Sequence, residues 1–316
     1  MGEITFAGRR AVSIENGDIR VTVVFGGGHI AEILHKKTGV NPLWIPPWPS
    51  IEPSAYHPER TPEYGADNES KLLSGILGHN LCLDLFGAPS EEEYAAGISV
   101  HGEGSVTHYS VDDYGGTIIA SAHLRSSQLH FERKLTLDPD GKTIRIRETV
   151  ENRSALDRPI AWTQHVTLGP SFLKTGSTQF RASATRSKTY ETPFGPTYKT
   201  NAEFDWPNAP LEGGGTLDMQ TYTSASKSGG FTTHLMDPHR DDAFFLAWSP
   251  ESKVLIGYKW KREDFPWLGI WEENHFRTHK PWNGEALTRG MEFGASPFPE
   301  TRRQMIERRT LFGVPA

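Results

Sequence analysis

The chain has 316 residues, with 33 lysines and arginines against 39 acidic residues, a net charge of −6 and a pI near 6.1. That balance, with no basic cluster, argues against nucleic acid or an anionic membrane surface as a partner. Hydrophobic residues make up 36%, and 31 glycines and 22 prolines accompany them, a composition that suits a sheet-rich fold with many turns and still supports a substantial core.

No stretch approaches the length of a membrane span. The first residues carry no apolar run of a signal-peptide kind, so the expected location is cytoplasmic. The one cysteine, Cys82, lies in the apolar run LCLDLF. It excludes an intrachain disulfide and reads as a buried, inert thiol.

In chain order, residues 19–25 (IRVTVVF) alternate, Gly26–Gly28 interrupt them, and 29–35 resume: strand, glycine turn, strand. Residues 42–66 form a long proline-rich stretch holding Trp44, Trp48, Tyr56 and Tyr64. Its aromatics predict an ordered flap packed on one side of the fold rather than a linker. Residues 91–96 suit one or two helical turns. Strand-like runs follow at 117–124, 128–137 and 142–150, the last two joined by DPDG at 138–141, a strong hairpin signal. Residues 160–168 read as another strand. Residues 176–230 are rich in Ser, Thr, Gly and Pro, with short strands at best. Residues 243–248 and 253–260 are strands separated by SPES. No internal repeat and no composition break is visible, so the pattern predicts a single all-β antiparallel sandwich over 1–316, with few short helices.

The final strand, in RGMEFGASPFPE at 289–300, carries the strongest chemical signal. Alternation puts Met291 and Phe293 on one face and Glu292 on the other, between Gly290 and Gly294. Glycines beside a lone carboxylate leave space for a ligand; a solvent-facing glutamate on a half-exposed strand is the competing reading. In AWTQHVTLG, His165 shares a face with Thr163 and Thr167. In ISVHGEG, strand alternation groups His101 with Ser99 and Glu103. Each of these ionisable groups lies on the more polar side of its run. Trp267 and Trp271 in FPWLGIWEENHF are four apart and share a face if that segment is a strand. Aromatic faces there can wall a ligand site or simply pack the core. Glu272, Glu273 and His275 lie close together in sequence, but no recognised ligand spacing accompanies them, so neither metal nor cofactor is expected.

These motifs together resemble the galactose mutarotase (aldose 1-epimerase) superfamily. GDIRVTVVFGGGHIAEILHKKTGVNPLW resembles its opening strands, HGEG at 101–104 its HGG motif, and VENRSALDRPIAWTQHVTLGPSFL at 150–173 its catalytic histidine strand. RGMEFGASPFPE resembles its catalytic glutamate strand. The resemblance implies a β-supersandwich with a sugar on a concave sheet, Glu292 as general base, His165 as general acid and His101 orienting the sugar. The family has an arginine upstream of the HGG motif; the nearest position here reads Gly78–His79–Asn80, which makes His79 and Asn80 the expected substrate contacts. Asp237 is the nearest candidate for the family's sugar-binding aspartate. Arg289 and Trp271 complete the expected binding residues. The implied function is interconversion of sugar anomers by acid–base ring opening, with a small sugar as partner. A carbohydrate-binding protein without turnover, or another sugar or sugar-acid isomerase, are the alternatives.

Overall fold

The computed structural model describes residues 2–139, 141–223 and 226–316. The chain divides into two compact units, 1–162 and 163–316.

In the first unit β1 (Ile4–Phe6), β2 (Arg9–Glu15), β3 (Ile19–Val24), β4 (Ile30–His35) and β5 (His79–Leu83) run in that order as antiparallel neighbours. A second sheet holds β6 (Ser110–Asp113), β7 (Thr117–Leu124), β8 (Leu129–Leu137) and β9 (Ile144–Asn152). Burial in β7 and β8 alternates residue by residue, as their sequences do. Leu137 stands opposite Ile144, so the hairpin predicted at DPDG is formed; Asp140 itself lies outside the described residues. Arg133, almost fully buried, joins the layers. Its Nη1 donates to the Gly28 carbonyl at 3.1 Å and its Nε to Glu148 at 2.6 Å. Gly28 has φ +59°, and a Cβ there would stand 2.8 Å from the Tyr109 ring, so only glycine serves at this turn.

The 42–66 stretch is packed, as its aromatics predict. Trp44, Trp48 and Tyr64 are buried. Trp44 and Trp48 meet edge to face at 5.6 Å, and the Trp48 indole donates to the Leu73 carbonyl of α1 (Ser70–Leu73). The helical turn expected at 91–96 is α2 (Glu91–Ala95), opened by a Ser90/Glu93 capping box.

The second unit opens with β10 (Trp162–Leu168), whose first residue closes the first unit. It continues through β11 (Gln179–Ala182), β12 (Ala184–Thr189), β13 (Glu203–Asp205), β14 (Asn208–Pro210) and β15 (Thr216–Asp218). Then come β16 (Ser228–Met236), β17 (Asp242–Ser249), β18 (Val254–Lys261), β19 (Trp267–Asn274), β20 (Leu287–Gly294), helix α3 (Arg302–Arg308), and the short pair β21 (Thr310–Leu311) and β22 (Val314–Pro315). The strands β10, β20, β19, β16, β12 and β13 lie side by side in that order, and β11, β17 and β18 form a smaller sheet. These antiparallel layers are the sandwich the sequence predicts.

The core of this unit lies between the two layers. Phe293 of β20 stacks on Trp260 of β18 at 4.2 Å and touches Phe245 and Tyr258. Arg289 is on the same face, packed over Phe180 and Tyr222. Its Nε donates to Glu272 Oε1 at 2.8 Å, and the Tyr198 hydroxyl donates to Glu272 Oε2 at 2.9 Å. The strands β16 and β19 are buried at every position, and β20 at all but its first. The reading of Glu292 as solvent-facing is therefore overturned: both faces of its strand are covered. No helix among the described residues is long and apolar enough to cross a membrane.

Buried among these strands, His234 is held between the Thr232 and Ser187 hydroxyls at 2.9 and 2.8 Å, with Phe204 and Trp206 edge-on to its ring. Burial, helped by the Arg289 charge, pulls its pKa down to about 3. A histidine depressed in the folded state stabilises the fold above its ordinary value of 6.5, and that stabilisation is lost as the pH falls toward 3. We expect unfolding free energy measured in urea to fall between pH 6.5 and 4.5 with a slope of up to about 1.4 kcal/mol per pH unit from this one group. His234→Gln should flatten that slope; an unchanged slope in the variant would sink the assignment.

Candidate functional site

The face of the six-strand run opposite the core carries the polar residues. In the register of β10, β20 and β19, His165 stands opposite Glu292, which stands opposite Gly269. Alternation makes this placement compulsory. With Met291 and Phe293 on the core side, Glu292 must face the other way, and a strand slipped by one residue would exchange them.

His165 Nε2 lies 3.0 Å from Glu292 Oε1, with both side chains about 95% buried or more. His165 Nδ1 is 3.0 Å from the Thr167 hydroxyl, two residues along the same strand. The Thr167 hydroxyl can donate to a bare Nδ1 or accept from an Nδ1–H, so it fixes ring orientation in either state while Nε2 faces the carboxylate. The contact between Nε2 and Oε1 lacks hydrogen-bond alignment, and Oε1 is buried without a hydrogen bond. Thr163 Oγ1 and Thr233 Oγ1, on the same side of β10 and β16, are also buried without hydrogen bonds among the described residues. Buried polar atoms are normally paired. Such atoms on one face match a ligand rich in hydroxyls.

The glycines around Glu292 have a different role from the one expected. A Cβ at Gly290 would stand 2.6 Å from Glu292 Oε1 and 3.3 Å from the Trp271 ring. The space Gly290 leaves is taken by the carboxylate itself, and the glycine lets it lie flat against the sheet. At Gly269 the space is filled by the Phe231 ring, 2.6 Å from where a Cβ would be. Nor is there room for a sugar between the two ionisable groups: they touch, and a ligand must sit over the pair.

Trp271 stands opposite Gly290, its ring 6.0 Å from that of His165 and 6.0 Å from Trp282. His165, Glu292 and Trp271 are thus brought together. Arg289 is not, because it lies on the core face in its ion pair with Glu272. Asp237 is not either. It follows β16 at the end where Leu235 pairs with Trp267, and it accepts from the His239 N–H in the turn around Pro238. The stretch holding Glu272, Glu273 and His275 splits similarly. Glu272 pairs with Arg289, Glu273 holds the N–H groups of Phe276 and Arg277, and His275 Nδ1 meets the Gly284 carbonyl.

In the first unit His79 and Asn80 are buried on β5. Both polar atoms of the Asn80 amide lack hydrogen bonds among the described residues, which suits it to a ligand. His101 is not on a strand. It occupies a turn with φ +65°, its Nδ1 2.6 Å from the Phe86 carbonyl and its backbone carbonyl accepting from Leu83. Glu103, grouped with it by alternation, instead accepts from the N–H groups of Ser126 and Ser127. A turn carries no period-two pattern, and the glycines of HGEG are the signal that favours one.

A scan against protein-family models finds no match, and neither does a search of curated proteins. Solved structures do match. A "putative aldose 1-epimerase" from Klebsiella pneumoniae superposes with a TM-score of 0.67 at 15% identity, over 96% of this chain and 74% of that one. A galactose mutarotase related enzyme from Lactobacillus acidophilus gives 0.55 at 12%, over 90% and 85%. A TPR-domain containing protein from Parabacteroides distasonis gives 0.58 at 12%, with 92% of this chain on 43% of that one. The chain therefore has the galactose mutarotase-like fold that its motifs suggest. The third match shows the same fold inside a protein named for something else, so chemistry has to be argued from the side chains.

Gly290→Ala should displace the Glu292 carboxylate and break its 3.0 Å contact with His165. The nitrogen-15 and proton chemical shifts of the His165 ring, followed by NMR, should move, while far-UV circular dichroism stays native. A His165 ring with unaltered shifts would show that the glycine does not shape this pair.

Proposed function

We propose that the protein interconverts the anomers of a sugar by acid–base ring opening, with Glu292 as general base and His165 as general acid. The observation that carries this reading is the 3.0 Å juxtaposition of a buried imidazole and a buried carboxylate whose oxygen has no hydrogen bond.

The chemistry explains why the two groups touch. A hemiacetal bears its C1 hydroxyl and its ring oxygen on the same carbon, so a base for one and an acid for the other must be neighbours. Glu292 takes the C1 hydroxyl proton while the His165 imidazolium gives its Nε2 proton to the ring oxygen. The C1–O bond of the ring breaks and an aldehyde forms. Rotation about C1–C2 presents the other face of the carbonyl, the ring hydroxyl adds back, and the protons return by the reverse transfers. No net proton or electron is consumed. Each of the two groups is worth about 10²–10⁴-fold. Trp271 offers its ring as a wall beside the pair, and the Thr163 and Thr233 hydroxyls await polar partners on the same face. This assignment makes the partner a small sugar. It keeps Glu292, His165 and Trp271 from the sequence-based set and drops Arg289 and Asp237.

Exchange of anomers, followed by NMR across aldoses and sugar phosphates, tests it. Glu292→Gln and His165→Asn should each slow exchange by at least about 10²-fold, with the double variant little worse than either single one. Sugars that bind without faster exchange would leave a carbohydrate-binding protein in place of an isomerase.

A further inference from the structure

On the same face, beyond Trp271, a cleft of about 190 Å³ opens between Phe194, Gly195, Gly229, Gly230, Glu273 and Phe276, with Arg277 at its edge. Trp271 lines it as well as flanking His165. Gly269 faces Glu292, Trp271 faces Gly290 and Glu273 faces Thr288. The cleft's carboxylate is therefore four residues along the strand from the catalytic pair, about 13 Å at strand rise, with the indole midway.

The lining is unusual for a surface depression. Phe276 is 41% exposed at its rim. Arg277 lies over the Trp282 ring at 5.0 Å and near that of Trp271 at 6.0 Å. Glu273 is 2% exposed. Its Oε1 accepts from the Phe276 and Arg277 N–H groups, and its Oε2 lies 3.5 Å from Arg277 Nε. Burial raises its pKa, and those N–H groups oppose the shift. The glycine floor has two causes. At Gly195 and Gly230 a Cβ would collide with the Gly229 carbonyl at 2.3 Å and the Tyr198 ring at 2.4 Å, so packing requires glycine. At Gly229 a Cβ would meet the Glu272 carbonyl at 3.2 Å and reach 3.6 Å from Phe276 and 3.8 Å from Glu273 Oε2. A side chain there would point into the cleft, and its absence keeps the cleft open.

We propose that this cleft is a second saccharide subsite, so that the substrate is a reducing oligosaccharide with its terminal ring at the His165–Glu292 pair and a following ring in the cleft. The inference rests on the anomer-exchange reading for the terminal ring. A pyranose has an apolar C–H face and a rim of hydroxyls. Phe194, Phe276 and Trp271 supply flat apolar walls, and Glu273 and Arg277 supply an acceptor and donors. The cleft is small for a ligand pocket, so it takes one ring and leaves the remainder of a chain in solvent.

The test compares glucose with maltose, maltotriose, cellobiose and cellotriose, in the wild-type protein and in Phe276→Ala, which removes a wall, and Gly229→Val, which fills the cleft with a strand-favouring residue. Circular dichroism establishes that each variant folds. At least one oligosaccharide should exceed glucose by about tenfold or more in kcat/KM for anomer exchange. Either variant should lower that ratio by about tenfold, the worth of an aromatic contact with its buried area. A ratio of one in the wild-type protein, or a preference that both variants preserve, overturns the subsite. If no saccharide exchanges, the catalytic reading fails separately, and titration calorimetry with the same saccharides decides. Oligosaccharide binding that weakens about tenfold in Gly229→Val supports the cleft, and no binding, or binding that both variants keep, overturns it.

Discussion

The burial of a carboxylate on a strand covered on both sides is the constraint on which the second unit turns. Glu292 is 3% exposed, next to Met291 and Phe293 that are equally buried facing the other way. An isolated charge in that position is expensive, and it is tolerated where an opposite charge or donors accompany it. The neighbouring strand provides His165 at the opposing register position, and Thr167 orients its ring. The same register delivers Gly269 and Gly290 beside the carboxylate. Sheet pairing thus sets the imidazole, the carboxylate and the space for the carboxylate in one step, and the aromatic stack of Phe293 on Trp260 anchors that register from behind.

The two faces of these strands carry two kinds of buried acid. On the core face, both Glu272 oxygens are engaged, one by Arg289 and one by the Tyr198 hydroxyl. Tyr198 is held protonated, its pKa raised first by burial and then by the Glu272 charge. Truncating one partner there leaves an uncompensated buried charge, worth about 3–5 kcal/mol of lost stability. On the other face, Glu292 Oε1 has a cation-forming neighbour at 3.0 Å and no hydrogen bond. A satisfied network specifies a fold, and an incompletely satisfied one costs stability unless a ligand completes it. The contrast is one of partners: Arg289 Nη2 is also without an aligned hydrogen bond, 2.6 Å from Glu272 Oε1, whereas the neighbour of Glu292 is a histidine rather than an arginine.

Much of this was legible in the residues. Period-two alternation gave β7, β8, β10, β18 and β20 within a few residues, and DPDG marked its hairpin. Alternation also placed His165 and Glu292 on the polar side of their strands. Two things were hidden and a third was readable but obscured. The pairing of β10 with β20, across more than a hundred residues of chain, follows from tertiary packing that no local pattern encodes. Arg289 shares its face with Met291 and Phe293 by the same alternation that isolates Glu292, so its exclusion from the site was readable. Its adjacency to the glutamate in sequence obscured that. His101 was misassigned because a turn with φ +65° breaks the strand period, and the glycines on either side of Glu103 carried that warning.

Any ligand on such a face would be recognised by the rows that flank the His165–Glu292 pair. Where Trp271 stands opposite Gly290, a large flat ring meets an absent side chain, and the Glu292 carboxylate occupies the space that the glycine leaves. One row further, Glu273 stands opposite Thr288, and β16 contributes Gly229 rather than a side chain. The glycines thus follow the strand direction away from the pair, from Gly290 to the cleft floor. β-Branched residues suit strands better than glycine, but Gly290 cannot accept one without displacing the Glu292 carboxylate, and a Cβ at Gly229 would press on the Glu272 carbonyl at 3.2 Å. Packing therefore favours glycine at both positions, and at Gly229 the missing side chain also leaves the cleft open to an elongated ligand.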